Sequence, residues 1–488
     1  MSTDVTPERV LAEIPTRLRI GDGWREATGG RTFPVANPAD GTDLASVADA
    51  TAADGLAALD AAVAAQASWA ATAPRERGEI LRRAFEEIHA RREELALLIT
   101  LEMGKPLADA YAEIDYGAEF FRWFAEEAVR IDGGYTVSPN GRGRILVMRQ
   151  PVGPSLLVTP WNFPLAMATR KIGPALAAGC TVVVKPAEQT PLTTLALAAI
   201  LEGCGVPAGV VNVVTTSDPA AVVGSLLKDS RLRKLSFTGS TEVGRLLLSQ
   251  AAGGVLRTSM ELGGNAPFLV FADADLDAAV EGALLAKLRN MGEACTAANR
   301  FYVQRPVAAE FADRLAKRMA ELRVAPGLAE GSQIGPLIDE AGRQKVGTLV
   351  DDAVRKGARV LTGGAPLDGP GYFYPPTVLA DVPGTADLLT QEIFGPVAPV
   401  LAFDTEQEAV ALANATEYGL VAYLYTRDLG RALRTAEALE TGMIGLNQGV
   451  VSNAAAPFGG VKQSGLGREG GRVGIDEYLE TKYIAIAV

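Results

Sequence analysis

From Arg144 onward the sequence alternates short β-like runs with longer helical stretches, and this alternation restricts the possible folds more than any other feature. The first runs lie at residues 145–148, 155–159, 181–184 and 234–237. Helical stretches at residues 165–178 and 192–202 separate the later three runs. This order is typical of a parallel sheet covered by helices. The sequence therefore predicts an α/β protein with a nucleotide-binding layer.

Two further regions flank this layer. Residues 51–130 have apolar positions such as Ile80, Ala84 and Ile88 at helical spacing, with charged residues between them. A second alternating region follows Glu261, with β-like runs at 268–271, 301–304 and 397–403 and helical stretches at 275–290 and 308–322. The final residues, 478–488, are typical of a strand that pairs with another subunit or with the β run near Arg144. A chain of 488 residues is long enough for two or three domains.

One glycine pattern, formed by Gly465, Gly467 and Gly470, matches the GxGxxG fingerprint of dinucleotide-binding folds. That fingerprint needs a preceding strand, a following helix and roughly 30 residues of β-α-β structure. Only 18 residues follow Gly470. We therefore expect this match to be false.

The charge and the cysteine content exclude several classes of protein. Forty-six basic and 58 acidic residues give a net charge of −12 without a basic stripe, so we expect no nucleic-acid partner. The segment Met1 to Val10 lacks the apolar core of a secretory signal, and the longest apolar stretch, around residues 174–184, is about half a membrane span. Three cysteines are too few for a disulfide framework or a zinc site. These features predict a cytoplasmic protein that needs no metal and binds no membrane.

The single histidine, His89, limits the chemistry that is available. Most nucleophilic hydrolases need a histidine base. His89 lies beside an apolar helical stripe, among Arg91, Arg92 and Glu93, which is typical of a solvated helix edge. The chemistry therefore proceeds without histidine, unless His89 is the base of a cysteine hydrolase.

Three residues are candidates for chemistry that needs no histidine. Cys295 follows a predicted helix in a glycine-containing turn, where a thiol is accessible; the alternative is a buried, inert thiol, as expected for Cys180 and Cys204. Glu261 stands among apolar residues and glycines, a setting that raises a carboxyl pKa and suits a general base; the alternative is an acid that anchors the glycine turn. Asn162 lies in a strand-to-helix turn, from which its amide donates to an oxyanion or caps the next helix.

Five motifs, TPWNFP, MELGGN, EACT, EIFGP and PFGGVKQSG, follow one another and together resemble the aldehyde dehydrogenase superfamily over nearly the whole chain. The resemblance implies an α/β fold with a Rossmann-type nucleotide-binding domain, an α/β catalytic domain and a small β oligomerisation arm, in a homodimer or homotetramer. The corresponding boundaries are residues 1–128 and 150–259, residues 260–453, and residues 129–149 and 467–488. It also implies that Cys295 attacks an aldehyde, that Asn162 and the Cys295 backbone N–H hold the oxyanion, and that Glu261 activates water.

The resemblance implies NAD or NADP as cofactor and no metal. By likeness, Lys185 and Glu188 bind the adenosine ribose, and a carboxylate at that position accepts both ribose hydroxyls and repels a 2′-phosphate. We therefore expect NAD to be preferred. The remaining cofactor-binding residues are Gly239 and Ser240 at the pyrophosphate, Glu392 and Phe394 on the nicotinamide side, and Thr159, Trp161 and Leu262.

Within the family, the stretches ATRK at 168–171, LRN at 288–290 and EYLETKY at 477–483 resemble the succinate-semialdehyde dehydrogenase branch. By this likeness Arg170, Arg289 and Ser452 bind the distal carboxylate of a small aldehyde substrate. An anionic substrate of a protein with net charge −12 needs such positive anchors. The alternatives are an ion pair between Arg289 and Glu293 and a solvated Arg170.

Two residues depart from the branch. Ala297 stands where some members carry a second cysteine, so a regulatory disulfide is expected to be missing, and Glu293 stands where members often have glutamine and adds negative charge near the thiol. The rival functions are a dehydrogenase for another aldehyde such as glutarate semialdehyde, a CoA-acylating relative, and a noncatalytic protein that retains the fold.

Overall fold

A computed structural model describes residues 5–488; residues 1–4, part of the segment in which no secretory signal is predicted, lie outside the described residues. The strands are β1 (Leu18–Ile20), β2 (Gly23–Arg25), β3 (Thr32–Ala36), β4 (Asp43–Ala48), β5 (Gly134–Val137), β6 (Gly143–Pro151), β7 (Ser155–Val158), β8 (Val182–Lys185), β9 (Val211–Val213), β10 (Lys234–Thr238), β11 (Arg257–Glu261), β12 (Ala266–Val270), β13 (Ala298–Gln304), β14 (Arg359–Thr362), β15 (Thr377–Ala380), β16 (Val397–Phe403), β17 (Val421–Tyr425), β18 (Met443–Leu446), β19 (Gly465–Leu466) and β20 (Leu479–Ala487). The helices are α1 (Pro7–Glu13), α2 (Ala52–Ala71), α3 (Pro74–Ala90), α4 (Arg92–Met103), α5 (Leu107–Glu127), α6 (Pro164–Ala178), α7 (Pro191–Gly203), α8 (Pro219–Leu227), α9 (Thr241–Ala252), α10 (Leu276–Leu288), α11 (Arg305–Ala320), α12 (Glu340–Arg355), α13 (Glu406–Asn414) and α14 (Leu429–Ala438).

The first large sheet has the strand order β19-β11-β10-β7-β8-β9-β1-β2. Its five central strands, β11, β10, β7, β8 and β9, are parallel to one another. Helices cover both faces of such a sheet, and β7, β8 and β10 are accordingly buried along their whole length. The parallel sheet that the β-α-β order predicts is confirmed.

The second large sheet has the order β14-β15-β16-β13-β12-β17-β18, and all neighbours except β14 and β15 are parallel. Aromatic side chains fill its core, with Phe268 within 5.1 Å of Phe301 and stacked on Tyr425 at 5.0 Å between ring centroids. Only residues 262–265 separate β11 of the first sheet from β12 of the second. This short link brings the carboxyl end of β11 to the junction of the two sheets.

A third sheet of three antiparallel strands, in the order β20-β6-β5, forms an arm. Strand β20 pairs with β6 from Leu479 opposite Pro151 to Ala487 opposite Gly143. The expectation that the last residues pair with the β run near Arg144 is confirmed. Every residue of β5 and all but the first of β20 are exposed.

The structure differs from the sequence-based prediction in two places and agrees with it in a third. The helix expected to reach residue 290 ends at Leu288, because Asn290 and Met291 take left-handed conformations with φ of 55°. Strands β1 to β4, which lie before residue 51, were not predicted because they lack a continuous apolar run; Arg19 interrupts β1 and Pro34 interrupts β3. The GxGxxG match is false, as expected, because the two-residue strand β19 is followed by the 3₁₀ helix Arg472–Tyr478.

Candidate active site

A cleft of about 350 Å³ lies at the junction of the two large sheets, and Cys295 is part of its wall. Its lining comes from the carboxyl ends of β7, β10 and β11, which is where ligands bind in open parallel sheets, and from loops of the second sheet. The predicted site residues that line it are Trp161, Asn162, Gly239, Ser240, Leu262, Cys295, Glu392 and Phe394. The histidine His89 is not part of the lining: it lies on α3, edge-on to Phe85 at 4.6 Å.

The nucleophile loop, residues 289–297, holds Cys295 between α10 and β13. Three consecutive residues, Asn290, Met291 and Gly292, have positive φ, so the chain leaves the helix sharply and presents a partly exposed thiol. The loop packs closely on the link at Gly264, where a Cβ atom would lie 2.5 Å from the Cys295 carbonyl oxygen. Burial raises the pKa of the Cys295 thiol to about 12, although the positive charge of Arg170 opposes the increase.

Asn162 is tied to the nucleophile loop. The side-chain Nδ2 of Asn162 donates to the backbone carbonyl of Glu293 at 3.0 Å. The backbone carbonyl of Asn162 accepts hydrogen bonds from Lys105 Nζ at 2.9 Å and from Asn290 Nδ2 at 3.1 Å. Helix α6 has no side-chain cap, so the alternative role of Asn162 as a helix cap is wrong. One N–H of the amide is used by Glu293, and the second is left for a ligand in the cleft.

Glu261 is the last residue of β11 and is 3% exposed. Both of its carboxyl oxygens are buried and form no hydrogen bond within residues 5–488, so it does not anchor the glycine turn. Burial raises its pKa well above the usual range, the charge of Glu469 raises it further, and Arg170 and Lys171 oppose both effects. A buried carboxyl with a raised pKa suits a general base.

A buried charge cluster, Arg170, Lys171 and Glu469, lies beside Glu261. Both cations form ion pairs with Glu469, and Lys171 Nζ also donates to Ser236 Oγ at 2.9 Å. Burial raises the pKa of Glu469, but Arg170 and Lys171 outweigh burial and hold it below its usual range. Arg170 is 1% exposed, so the alternative of a solvated arginine is wrong. Its charge is compensated within the protein, which does not favour the predicted role of Arg170 as a substrate anchor.

A second cavity, of about 500 Å³, lies against the nucleophile loop and is lined by Arg289 and Ser452. Arg289 Nη1 donates to Ser452 Oγ at 3.1 Å, and the guanidinium lies over the ring of Phe163 at 4.8 Å. No carboxylate of residues 5–488 lies within ion-pair distance of Arg289. The predicted pair of Arg289 and Ser452 therefore offers to the cavity a positive charge that is not held in an ion pair, although the carboxyl of Asp109 in the same lining feels that charge.

Glu293 does not pair with Arg289, so that alternative is wrong. Its Oε1 accepts a hydrogen bond from the backbone of Ile338 at 3.1 Å, and its Oε2 is buried without a hydrogen-bond partner in the described chain. Burial raises its pKa well above the usual range. A raised pKa favours the neutral carboxyl, so Glu293 adds less negative charge near the thiol than its residue type indicates.

The cofactor-side residues fit a dinucleotide. Ser240 caps α9 by accepting from Val243 N, and a Cβ at Gly239 would lie 2.4 Å from the Phe237 ring, so the backbone at this helix start stays open. Such a helix N-terminus suits a phosphate. The edge-to-face pair of Trp161 and Phe394, at 5.4 Å, lies farther along the cleft.

Three predicted cofactor residues lie beside the cleft rather than in its lining. Lys185, the last residue of β8, forms an ion pair with Glu188 at 3.0 Å, and the backbone N–H of Thr159 donates to the Lys185 carbonyl at 3.1 Å. Glu392, within the cleft, accepts from the backbone of Gly264 at 3.1 Å. These contacts place a carboxylate and an ammonium at the carboxyl end of the parallel strands.

Sequence reasoning missed Glu469, the partner of both buried cations. It lies within the false glycine pattern, and its only signal was a charged Arg-Glu pair among glycines. Lys171 stood in the quoted ATRK stretch without an assigned role.

Within residues 5–488, the structure contains no group of three His, Cys, Asp or Glu side chains arranged to hold a metal ion, and none of the helices combines the length and apolar composition that a membrane span requires.

Comparison with known proteins gives consistent matches over nearly the whole chain. The profile of the Aldehyde dehydrogenase family matches residues 24–484. A succinate-semialdehyde dehydrogenase from Paenarthrobacter nicotinovorans is 64% identical over 91% of this chain and 99% of its own length. A glutarate-semialdehyde dehydrogenase from Pseudomonas putida is 50% identical over 96% of this chain and 97% of its own length. A crystal structure described as an NADP dependent enzyme from E. coli is 50% identical, has a TM-score of 0.97 and covers 99% of both chains.

Proposed function

This chain belongs to the aldehyde dehydrogenase family, and from that premise we propose that it oxidises succinate semialdehyde to succinate with NAD or NADP. The observation that carries the choice of substrate is Arg289, whose guanidinium forms no ion pair within residues 5–488 and donates to Ser452 in the cavity beside the nucleophile loop. A charge-assisted hydrogen bond from arginine is well suited to a carboxylate. Cys295 and Arg289 are therefore assigned to opposite ends of one short substrate.

The mechanism follows from the residues at the cleft. The Cys295 thiol loses its proton to water, and the resulting thiolate forms a C–S bond to the aldehyde carbon. The amide of Asn162 and the Cys295 backbone N–H donate to the oxyanion that forms as the C=O double bond opens. A bound nicotinamide ring supplies the acceptor for the hydride that leaves this carbon. Glu261 then takes a proton from a water molecule while the oxygen of that water attacks the thioester carbonyl. The C–S bond breaks, which releases the carboxylic acid and the Cys295 thiolate.

Arg289 provides the direct test of substrate choice. We expect Arg289→Met to lower kcat/KM for succinate semialdehyde by about 10- to 100-fold, because the substrate carboxylate loses its charged donor. For butanal, which has the same number of carbons and no carboxylate, we expect a change of less than about threefold. The control is Arg92→Met, which removes an arginine paired with Asp115 on the helix surface. Equal losses for both aldehydes would contradict the carboxylate site.

Glutarate semialdehyde is the second candidate substrate, because a relative with that activity matches most of the chain. The two substrates differ by one methylene, which changes kcat/KM by about 10- to 200-fold in a discriminating pocket. We expect the shorter substrate to have the higher kcat/KM in parallel assays of the wild-type protein. The reverse order would replace succinate semialdehyde by its homologue and leave the carboxylate site intact.

The pH dependence of turnover tests the role of the charge cluster. Glu261 acts as a base only when deprotonated, so kcat is expected to rise with pH through its raised pKa. In Glu469→Gln the negative charge that raises this pKa is lost while Arg170 and Lys171 remain, so the rising limb is expected to move to lower pH. Two buried cations are left unpaired, which is expected to cost about 3–5 kcal/mol in urea unfolding. A limb that stays in place in a folded variant would contradict the coupling.

We propose NAD as the preferred cofactor because Glu188 is partly exposed beside Lys185, where its carboxylate repels a 2′-phosphate. The E. coli enzyme described as NADP dependent makes this preference a question for experiment. We expect Glu188→Ser to shift the ratio of kcat/KM for NAD over NADP toward NADP by at least about tenfold. Glu437→Ser, which removes an exposed acid from α14, away from the cofactor side of the cleft, is the control. An unchanged ratio would contradict this assignment.

We propose that the arm assembles the chain into a homodimer or homotetramer. Tyr135 and Tyr483, on β5 and β20, are 67% and 60% exposed, and Val488 at the end of the arm is 84% exposed. Large exposed apolar side chains on one sheet are typical of an interface. Light scattering after size exclusion is expected to give the mass of a dimer or tetramer, and a monomer would contradict the proposal.

The three free thiols support a reducing, cytoplasmic compartment, which cell fractionation tests.

A further inference from the structure

Helix α5 forms one wall of the cavity that holds Arg289 and Ser452. Asp109, Glu113 and Tyr116, spaced four and three residues apart, therefore face the cavity on one side of the helix. The Tyr116 ring packs edge-on against Phe120 at 5.0 Å between centroids. The same ring lies 5.6 Å from the Arg289 guanidinium carbon. The ring of Tyr116 thus lies beside the cation assigned to the substrate carboxylate, and its hydroxyl is also close enough to the buried Arg170 to affect the pKa of that guanidinium.

The hydroxyl of Tyr116 is buried and has no hydrogen-bond partner within residues 5–488. The acids on the same wall are already engaged: Asp109 accepts from the backbone N–H of Asn290 at 3.0 Å, and Glu113 is paired with Lys105. A buried phenol is normally hydrogen-bonded, so an unpaired one beside a ligand cavity is the exception that requires an explanation. A ligand oxygen in the cavity supplies the missing acceptor.

We propose that Tyr116 donates a hydrogen bond to the distal carboxylate of the substrate and forms, with Arg289 and Ser452, a three-residue carboxylate site. A carboxylate has two oxygens with about four lone-pair sites, so it can accept from the Tyr116 hydroxyl as well as from Ser452 and the N–H groups of Arg289 that do not bond to Ser452. The third donor comes from a rigid helix, which fixes the distance between the carboxylate and the thiol. Tyr116 is therefore a residue that determines specificity for short carboxylate-bearing aldehydes, and its role rests on the proposed function.

The test compares Tyr116→Phe with the wild-type protein on succinate semialdehyde and butanal. The variant is expected to raise KM for succinate semialdehyde about tenfold, with kcat at saturation within about twofold, because a hydrogen bond to a charged group is lost and the ring is kept. Turnover of butanal is expected to stay within about twofold. Tyr111→Phe is the matched control, because Tyr111 lies on the same helix but packs against Arg92 outside the cavity. Binding of the product succinate, measured by calorimetry, is expected to weaken by the same factor in Tyr116→Phe alone.

The outcomes separate this inference from the proposed function. If Arg289→Met removes the preference for succinate semialdehyde and Tyr116→Phe leaves KM and succinate binding unchanged, the role of Tyr116 is overturned and the function stands. Equal losses on both aldehydes in Tyr116→Phe overturn it as well, since they indicate a structural role only. A wild-type protein without preference for succinate semialdehyde over butanal overturns both.

Discussion

Replacing Cys295 by alanine is expected to abolish aldehyde-dependent reduction of NAD or NADP, with kcat lower by roughly 10³-fold or more. In the proposed mechanism the hydride leaves only after sulfur has added to the aldehyde carbon, and Cys295 is the one thiol among the residues that line the cleft. The measurement is absorbance of the reduced nicotinamide under saturating succinate semialdehyde. Cofactor binding, followed by fluorescence, is expected to persist because the cleft keeps its other walls.

The other two cysteines provide controls for this variant. Cys180 is buried within the first sheet region, where burial raises its pKa to about 11, and Cys204 follows α7. Cys204→Ala is expected to retain turnover within about twofold. Full activity of Cys295→Ala would refute the nucleophile, and loss of activity in Cys204→Ala with Cys295 intact would place the reactive thiol elsewhere.

Replacing Glu261 by glutamine is expected to lower steady-state turnover by about 10²- to 10⁴-fold while leaving a burst of reduced cofactor equal to one per active site. In the proposed mechanism Glu261 acts after the hydride has left, so the loss of its carboxylate is expected to stop hydrolysis of the thioester and not formation of the thioester. Rapid mixing resolves the burst from the slow phase. Glutamine keeps the shape of the side chain and removes the base.

The control for Glu261→Gln is Glu119→Gln, which changes an acid on the surface of α5 next to Arg122 and is expected to behave as wild type. Absence of the burst in a correctly folded Glu261→Gln variant would show that Glu261 is needed before thioester formation. A wild-type protein that turns over only when CoA is supplied would instead favour the acylating relative over the hydrolytic enzyme.

The strands and helices that sequence patterns predict best are those buried in the large sheets. Strand β16 has the predicted bounds, 397–403, because an apolar run with clear ends determines both its type and its length. Strands β1 to β4 escaped prediction, since polar residues or proline interrupt them, whereas the equally short β7 and β8 are almost wholly apolar runs. The end of α10 was set by Asn290 and Met291, whose left-handed conformations depend on packing around the nucleophile loop rather than on local propensity.

The candidate site likewise has residues that the sequence predicts and contacts that it does not. Cys295, Asn162 and the glycines of the cleft were found because motif order fixes them along the chain, whereas their contacts were not. Arg170 forms an ion pair with Glu469, which lies almost 300 positions away in the chain. No local pattern shows that Arg170, and not Arg289, is the arginine held in an ion pair. Tyr116 was missed because an aromatic residue at helical spacing resembles ordinary core, and only its unpaired hydroxyl distinguishes it.

The most direct test of the proposed chemistry is mass spectrometry of the Glu261→Gln variant quenched after one turnover with succinate semialdehyde and NAD. A succinyl group on the peptide that contains Cys295, at close to one per chain, is the predicted result, since it requires the thiol, the substrate and the blocked hydrolysis together. An unmodified Cys295, or a succinyl group on Cys180 or Cys204 instead, would contradict the account.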